Sequence, residues 1–252
     1  LEDEIKLRGF SSLTTKTYLR YNRAFLKAVN KNPEEVLQED IKKYLNQLAE
    51  RKLKPSSMSL ALSALKFYYR TVLRKQLFND VKVKQEKRLT EPLTKDEVKL
   101  LVNNVENVKH KILIGLTYAT GLKVSDVVNL KVNDLNLKEK IGSISKGKNR
   151  RIFILPESLL KDLSEYIAIK GDVNEFLFPS KDKTISVRMV QKVIKKASKK
   201  VKIEKRVYCE LLRQSFVKHL IENGIEQRIV DALLGKGKVL KEEIKNIKSP
   251  LD

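Results

Sequence analysis

The side chains best suited to chemistry in this 252-residue chain are cationic. Four of them fall in one short run, Lys146-Gly147-Lys148-Asn149-Arg150-Arg151. Lysine and arginine donors bind anionic oxygens, and the planar arginine fork can hold two phosphate oxygens at once. The whole chain carries 53 Lys and Arg against 31 Asp and Glu, a formal net charge of +22. This balance predicts a polyanionic partner, with nucleic acid as the leading class.

The positive charge is spread along the chain. Residues 1–90 contain 20 basic and 10 acidic residues, and residues 91–252 contain 33 and 21. A disordered basic arm would concentrate its charge in one block. The spread instead favours two basic lobes around DNA, or a ribosome-associated protein. A lysine-rich proteome would supply part of the excess in either case.

Several other classes of function are disfavoured by composition. The single cysteine, Cys209, excludes an intrachain disulfide framework and a multi-cysteine zinc site. His110 and His219 are the two histidines and leave little for metal chemistry. No apolar run approaches the ~20 residues that a membrane span needs, and the acidic residues 1–4 are unlike a signal peptide. We therefore expect a cytoplasmic protein with no membrane partner.

Apolar spacing in the first third predicts helices with little else. Apolar residues recur at three- and four-residue intervals over 14–29, 37–48 and 55–73. The stretch 79–92 is polar and charged and has no helical period. We therefore predict a helical domain over residues 1–80, a linker over 81–92 and a second domain over 93–252.

The second domain mixes two periodicities. Thr94 and Glu97 form a capping box at the start of a helix over 96–103. Short β-like runs at 141–145 and 151–155 flank the basic, glycine-containing run and predict a hairpin. Further helices are predicted at 111–119, 156–169, 186–199, 211–223 and 226–234. The predicted fold class is mainly α with a small antiparallel sheet.

Several stretches, in this order, resemble the tyrosine recombinases of the phage-integrase and Xer type. The first domain resembles that family's SAM-like core-binding domain in RGFSSLTTKTYLRYNRAFL and DIKKYLNQLAERKLKPSSMSLALSALKFYYR. The second resembles its catalytic domain in LTKDEVKLLV, LIGLTYATGLKVSDVVNLKVNDL, ISKGKNRRIFIL and LLRQSFVKHLIENGIEQRIVDALLGKGK. The resemblance implies a two-lobed, C-shaped clamp on duplex DNA. It also implies strand cleavage by a tyrosine on a phosphate, without a metal or a cofactor.

The family's cationic positions are partly kept. The resemblance places Lys123 where the family has its first arginine, and lysine keeps the charge but loses the fork. Asp126 fits the family's acidic partner. The remaining family positions are occupied by Lys146 (hairpin lysine, with Lys148 as the alternative), Glu210 (histidine or lysine), Arg213 (second arginine) and Lys236 (later histidine or tryptophan). The DNA contacts that we predict are Lys146, Lys148, Arg150, Arg151 and Arg213.

The nucleophile position is the largest departure. Counting from Lys236 places the family tyrosine at Lys245, and no tyrosine follows Tyr208 in the sequence. The negative charge of Glu210 would also repel a phosphate, unless the carboxylate is protonated, turned away, or paired with Lys123 or Arg213.

Other residues near Arg213 are candidates to replace the missing tyrosine nucleophile. Tyr208 is a candidate relocated nucleophile, although packing or a phosphate contact is its simpler role. Ser215 has no base in view, and Cys209 fits a small buried hydrophobe. Tyr118 and His219 are predicted to be structural. Asp126 with Glu210 gives only weak support for a metal site.

We therefore predict a DNA-binding member of this family, associated with site-specific recombination or integration, whose strand cleavage is lost or impaired. It would be a nucleoid-associated monomer off DNA that forms higher-order assemblies on DNA, and an active recombinase is a candidate partner. The alternative is an active recombinase with a displaced nucleophile, or with a tyrosine supplied by a different protein. A third class is a basic RNA-binding or structural chromatin protein.

Overall fold

A computed structural model of the chain describes residues 1–83, 90–146, 149–171, 174–180, 183–237, 241–244 and 247–252. The side chains of Lys146, Asn149 and Lys241 also lie outside the described part. The chain divides into two compact units, residues 1–88 and 89–252. Each has a hydrophobic core of its own.

The first unit is built from helices. They are α1 (Glu2–Leu7), α2 (Ser12–Val29), α3 (Gln38–Glu50) and α4 (Pro55–Lys66), and a π-helical segment, Phe67–Val72, continues α4. The side chain of Ser11 accepts a hydrogen bond from the Thr14 N–H at 3.2 Å, which caps α2. The three helices predicted from apolar spacing are confirmed, and α1 was not predicted.

The core of the first unit explains these helices. Phe25 of α2, Ile41 of α3 and Leu65 of α4 are fully buried and fall on the apolar stripes that the sequence shows. Val81 is buried in the same core, although it lies within the predicted linker. The linker residues 84–89 lie outside the described residues.

The second unit is mostly helical. Its helices are α5 (Lys95–Asn103), α6 (Val108–Ala119), α7 (Val124–Val128), α8 (Glu157–Lys170), α9 (Val187–Lys200), α10 (Cys209–Glu222), α11 (Gln227–Leu233) and α12 (Lys241–Ile244). The capping box at α5 is confirmed: the Glu97 N–H donates to Thr94 Oγ1 at 3.1 Å, and the Thr94 N–H donates to Glu97 Oε2 at 2.7 Å. The short helices α7 and α12 were not predicted.

Two small antiparallel sheets complete the described part of the second unit. One has the order β1 (Leu135–Asn136), β2 (Ile141–Lys146), β3 (Asn149–Ile154), and the other pairs β4 (Pro179–Ser180) with β5 (Lys183–Thr184). The predicted hairpin is therefore confirmed. Its strands are longer than predicted, because Lys146 pairs with Asn149, two residues that the sequence pattern assigns to the turn.

Helix α6 lies at the centre of the second core. All its residues from Ile112 to Ala119 are buried, which accounts for an apolar segment without a polar face. Ser215 of α10 is also fully buried; its hydroxyl accepts from the Leu93 N–H at 2.9 Å and donates to the Leu211 carbonyl at 2.8 Å. None of the helices in the described ranges is long and apolar enough to cross a membrane.

Candidate functional site

Strand β3 carries two neighbouring arginines with different environments. Successive side chains of a strand point to opposite faces, so Arg150 and Arg151 diverge. Arg150 is exposed and donates to Ser143 Oγ at 3.2 Å. Arg151 is partly buried, and its Nε donates to the Leu233 carbonyl at 2.6 Å. Only Arg150 therefore stands at the surface that an external polyanion would meet first.

The Arg151 guanidinium reaches a second segment as well. Its Nη2 donates to the carbonyl of Gly121 at 2.9 Å and to that of Thr120 at 3.3 Å. We predicted a DNA contact for Arg151. Nε and Nη2 of the guanidinium thus donate to main-chain carbonyls, and the DNA contact of Arg151 stays a prediction.

Arg213, on α10, binds the chain at the end of α11, next to the carbonyl of Leu233 that Arg151 binds. Its neighbours Leu212 and Phe216 anchor the helix in the core, and Arg213 itself is half-buried. Its Nη2 donates to the Leu234 carbonyl at 3.4 Å, one residue beyond the carbonyl that Arg151 binds. The two guanidinium groups are thus held at one short stretch of chain, Leu233–Leu234.

The charge of Arg213 influences that of Arg151. Burial is the main cause that lowers the pKa of Arg151 to about 10, and the charge of Arg213 is the second. Asp126 acts in the opposite direction and raises the pKa. Arg151 therefore stays protonated at neutral pH. Two like charges repel each other, so their proximity costs free energy unless an anion neutralises it.

Two predicted lysines follow the segments that Arg151 binds. Lys123 is the exposed N-cap residue of α7, two residues after Gly121. Lys236 is exposed, follows Gly235, and its ammonium lies 3.8 Å from the Asp231 carboxylate. An exposed ion pair at this distance is weak, so Lys236 remains available to a stronger anion.

The hairpin lysine is placed through its main chain. Lys146 is the last residue of β2 and pairs with Asn149, while Arg151 pairs with Ile144 two residues before Lys146. The Lys146 side chain lies outside the described part. Lys148 and Lys245, also predicted site positions, lie outside the described residues.

Glu210 is exposed in the first turn of α10, three residues before Arg213. Within the described part of the chain it forms no ion pair with Lys123 or Arg213. The positive end of the helix dipole stabilises a carboxylate in the first turn, so Glu210 has a structural role that requires no phosphate.

The other candidates near Arg213 have structural environments. Burial raises the pKa of the Cys209 thiol to about 11, so the thiol is neutral at physiological pH. Both hydrogen bonds of the Ser215 hydroxyl are directed to the main chain. Tyr118 and His219 are buried, as predicted, and contact each other. Tyr208 is the half-buried N-cap residue of α10.

Our sequence reasoning missed a cationic helix face. Helix α9 buries Val190, Val193 and Ile194 and has no acidic residue. Its exposed cations are Arg188, Lys192, Lys195, Lys196, Lys199 and Lys200. The signal was present in the sequence, since every basic residue of VRMVQKVIKKASKK falls outside the apolar stripe. In the described ranges, no group of three or more His, Cys, Asp or Glu could hold a metal ion.

Comparison with known proteins identifies the family. The phage integrase family matches residues 91–239, and the N-terminal SAM-like domain of phage integrases matches residues 1–78. The chain therefore belongs to the phage integrase family, whose members include the tyrosine recombinases named below.

Relatives match along most of the chain. Tyrosine recombinase XerA of Pyrococcus horikoshii is 30% identical over 239 residues, which cover 92% of this chain and 81% of that protein. Tyrosine recombinase XerD of Halalkalibacterium halodurans is 27% identical over 261 residues, covering 94% and 87%.

Solved structures share the fold. A crystal structure of XerA recombinase matches with a TM-score of 0.56 and 26% identity, over 97% of this chain and 90% of that one. A lambda integrase fragment, crystallised as a dimer on a COC' core site, matches with a TM-score of 0.74 and 18% identity, over 100% and 92%. At that identity the second likeness shows the fold alone.

Proposed function

We propose that this protein binds duplex DNA through both units and that its own strand cleavage is lost or impaired. Membership of the phage integrase family supports the DNA substrate, as do the names of the relatives, which are recombinases. The net charge of +22 supports a partner with many phosphates. In this proposal each unit contributes contacts to the duplex, and copies assemble on DNA but are monomeric without it.

The contact region around Arg213 is the observation that carries the proposal. Arg213 and Arg151 bind the carbonyls of adjacent residues, Leu234 and Leu233, and Lys123 and Lys236 follow the segments that these arginines bind. A phosphate diester supplies the negative charge that such a cluster needs. Arg150 and the exposed cations of α9 are further candidates for phosphate contacts.

The proposal of lost cleavage rests on the residues at three family positions. Lys245 stands at the place that the family resemblance gives to the tyrosine, and the chain has no tyrosine after Tyr208. An ammonium group that binds a phosphate cannot form the phosphotyrosyl bond that the family reaction requires. Lys123 lacks the arginine fork, and Glu210 repels a phosphate.

A second candidate function is an active recombinase with a displaced nucleophile. The observation in its favour is the position of Tyr208, half-buried at the N-cap of α10 and five residues before Arg213. A tyrosine supplied by a different protein is the other route. Copies of this chain cannot supply it from the family position, because each carries Lys245 there.

Relaxation of supercoiled plasmid, with a denaturing gel for covalent protein–DNA adducts, tests the cleavage proposal. We expect no relaxation and no adduct, together with duplex binding that weakens steeply as salt rises. Relaxation with an adduct that the Tyr208→Phe variant abolishes would establish the second candidate. The Tyr166→Phe variant is the matched control, since the Tyr166 hydroxyl donates to the Leu177 carbonyl at 2.9 Å.

Competition by RNA tests the nucleic-acid class. A-form RNA has a deep, narrow major groove and a different spacing of phosphates, so duplex RNA should compete poorly with duplex DNA. Equal competition would favour a general basic RNA-binding protein. An affinity that barely changes with salt would contradict binding through many phosphate contacts.

A further inference from the structure

Arg151 connects segments that are far apart in the chain. Its Nε donates to Leu233 at the end of α11, and its Nη2 donates to Thr120 and Gly121 at the end of α6. The arginine itself lies on β3, five residues after the hairpin lysine, Lys146. One side chain therefore links the three chain segments that carry Lys123, Lys146 and Lys236.

The two linked segments are closely packed around the arginine. Gly235 has a positive φ of 80°, and a Cβ atom there would lie 3.2 Å from Cδ of Arg151. Gly121 has a φ of 55°, and a Cβ there would lie 2.6 Å from the Phe216 ring. The main chain at Gly235 therefore packs directly against the Arg151 side chain, and the main chain at Gly121 packs directly against Phe216.

A lysine could not make the same link. The arginine fork holds its donors in one plane at fixed angles, whereas a lysine ammonium is a single point on a flexible stem. Leu233 and Gly121 accept from two different nitrogens of the guanidinium. The geometry requires arginine in particular, and a cation of another shape would leave one segment without its donor.

We infer that Arg151 is a positioning residue for the phosphate site: it fixes the main chain that presents Lys123 and Lys236 beside Arg213. This inference rests on the proposed DNA binding, and it assigns Arg151 a task different from the direct DNA contact that the sequence suggested. Removing Arg151 should therefore weaken several phosphate contacts at once.

The salt dependence of DNA affinity counts those contacts. Each phosphate contact contributes about 0.9 to the slope of log affinity against log salt. Replacement of Arg150, the exposed neighbour on the same strand, should reduce the slope by about one contact. The Arg151→Ala variant removes the same charge but should reduce the slope by about two contacts or more. The two variants are matched in strand, residue type and net charge.

Hydrogen exchange without DNA gives an independent readout. The amide N–H groups of Gly121 and Lys236 donate to the Tyr118 carbonyl at 3.2 Å and the Asp231 carbonyl at 2.8 Å. In Arg151→Ala these two segments should exchange faster while the α6 core stays protected. In Arg150→Ala their exchange should match that of the wild type. A variant that had merely lost global stability would speed exchange throughout the unit.

The results separate the inference from the function on which it rests. Equal slope losses for the two alanine variants, with wild-type exchange at Gly121 and Lys236, would overturn the positioning role and leave DNA binding intact. Wild-type protein without salt-dependent binding would overturn the proposed function itself. If Arg151→Ala fails to fold, the Arg151→Lys variant provides the test. A smaller slope of log affinity against log salt, despite the retained charge, would support the inference, and an unchanged slope would overturn it.

Discussion

The hydroxyl of Tyr118 lies 2.6 Å from Nδ1 of His219, in a buried contact that joins α6 to α10. The same hydroxyl lies 3.4 Å from the carbonyl of Pro250, so the contact also reaches the segment 247–252. Ring centroids of Tyr118 and Phe216 are 6.3 Å apart in an edge-to-face arrangement. The helix that carries Arg213 is thus anchored by a buried polar contact as well as by apolar packing.

We predict that, because of this contact, the folded protein becomes less stable as the pH falls. Burial, and to a smaller extent Lys95 and Lys218, lower the pKa of His219, while Glu222 and the Leu93 main chain raise it. The folded protein therefore binds fewer protons than the unfolded chain once the pH falls below about 6.5, the ordinary histidine value. Stability is complete above that pH and declines below it. Protonation also removes the ring acceptor, which leaves Pro250 to accept the Tyr118 proton.

Thermal unfolding between pH 7.5 and 5.5 measures this effect. His219→Gln keeps a polar group beside Tyr118 but does not titrate, so its midpoint should vary less with pH than that of the wild type. His110→Gln is the comparison variant: burial also lowers the pKa of the partly exposed His110, so any reduction in pH dependence that it causes measures the share of the second histidine. A His219→Gln profile parallel to the wild type would show that another group is responsible.

Cys209 is predicted to be inert in the folded protein. Burial raises its pKa to about 11, so at pH 8 only about one thiol in a thousand is ionised. Alkylation by iodoacetamide should be at least about 100-fold slower in the native than in the unfolded protein. Ser63→Cys in a Cys209→Ser background places a thiol at an exposed position of α4 and should react rapidly. Fast native alkylation of Cys209 would reopen its candidacy as a nucleophile.

Gly121 is predicted to be sensitive to a single methyl group. An alanine there would adopt a φ of 55° and meet the Phe216 ring at 2.6 Å. The left-handed conformation costs about 1–2 kcal/mol, and the overlap adds about 1–3 kcal/mol.

Gly224 separates these two costs. It also has a positive φ, 78°, but a Cβ atom there would meet nothing within 4 Å. Gly224→Ala should therefore lose only the conformational part, about 1–2 kcal/mol, in a denaturant titration. Equal losses for the two variants would mean that Phe216 yields without cost.

Much of the fold follows from local chemistry that the sequence displays. The capping box at Thr94 and the apolar stripes of α2 and α3 are local features, so they predict those helices correctly. Helix α7 is too short to show a period. The ends of β2 and β3 depend on the pairing of Lys146 with Asn149, which polarity alone does not reveal.

The candidate site was predictable in its residue types but not in its connections. The basic run and Arg213 could be identified from the sequence, and the family resemblance gave Lys123 and Lys236 their positions. Arg150 and Arg151 are identical in type and adjacent, so their different environments could not be read from the sequence. What distinguishes them is the tertiary arrangement that brings the carbonyls of Gly121 and Leu233 to one face of β3.

Glu210 is predicted to act in opposite directions on stability and on DNA binding. In the first turn of α10 its carboxylate interacts favourably with the helix dipole, a contribution of about 0.3–1 kcal/mol. Near Arg213 the same charge repels a phosphate, at a cost of roughly 1 kcal/mol. Glu210→Gln should therefore be slightly less stable than the wild type yet bind duplex DNA about fivefold more tightly.

Glu222→Gln provides the charge-matched control for that prediction. Glu222 is exposed at the other end of α10, where it pairs with Lys218 at 3.7 Å. Its replacement changes the net charge by the same amount but removes no carboxylate from the vicinity of Arg213, so DNA affinity should rise much less. Equal gains for the two variants would trace the effect to net charge alone, and a loss of affinity in Glu210→Gln would show that the carboxylate supports the site, because orienting Arg213 would then outweigh its repulsion of the phosphate.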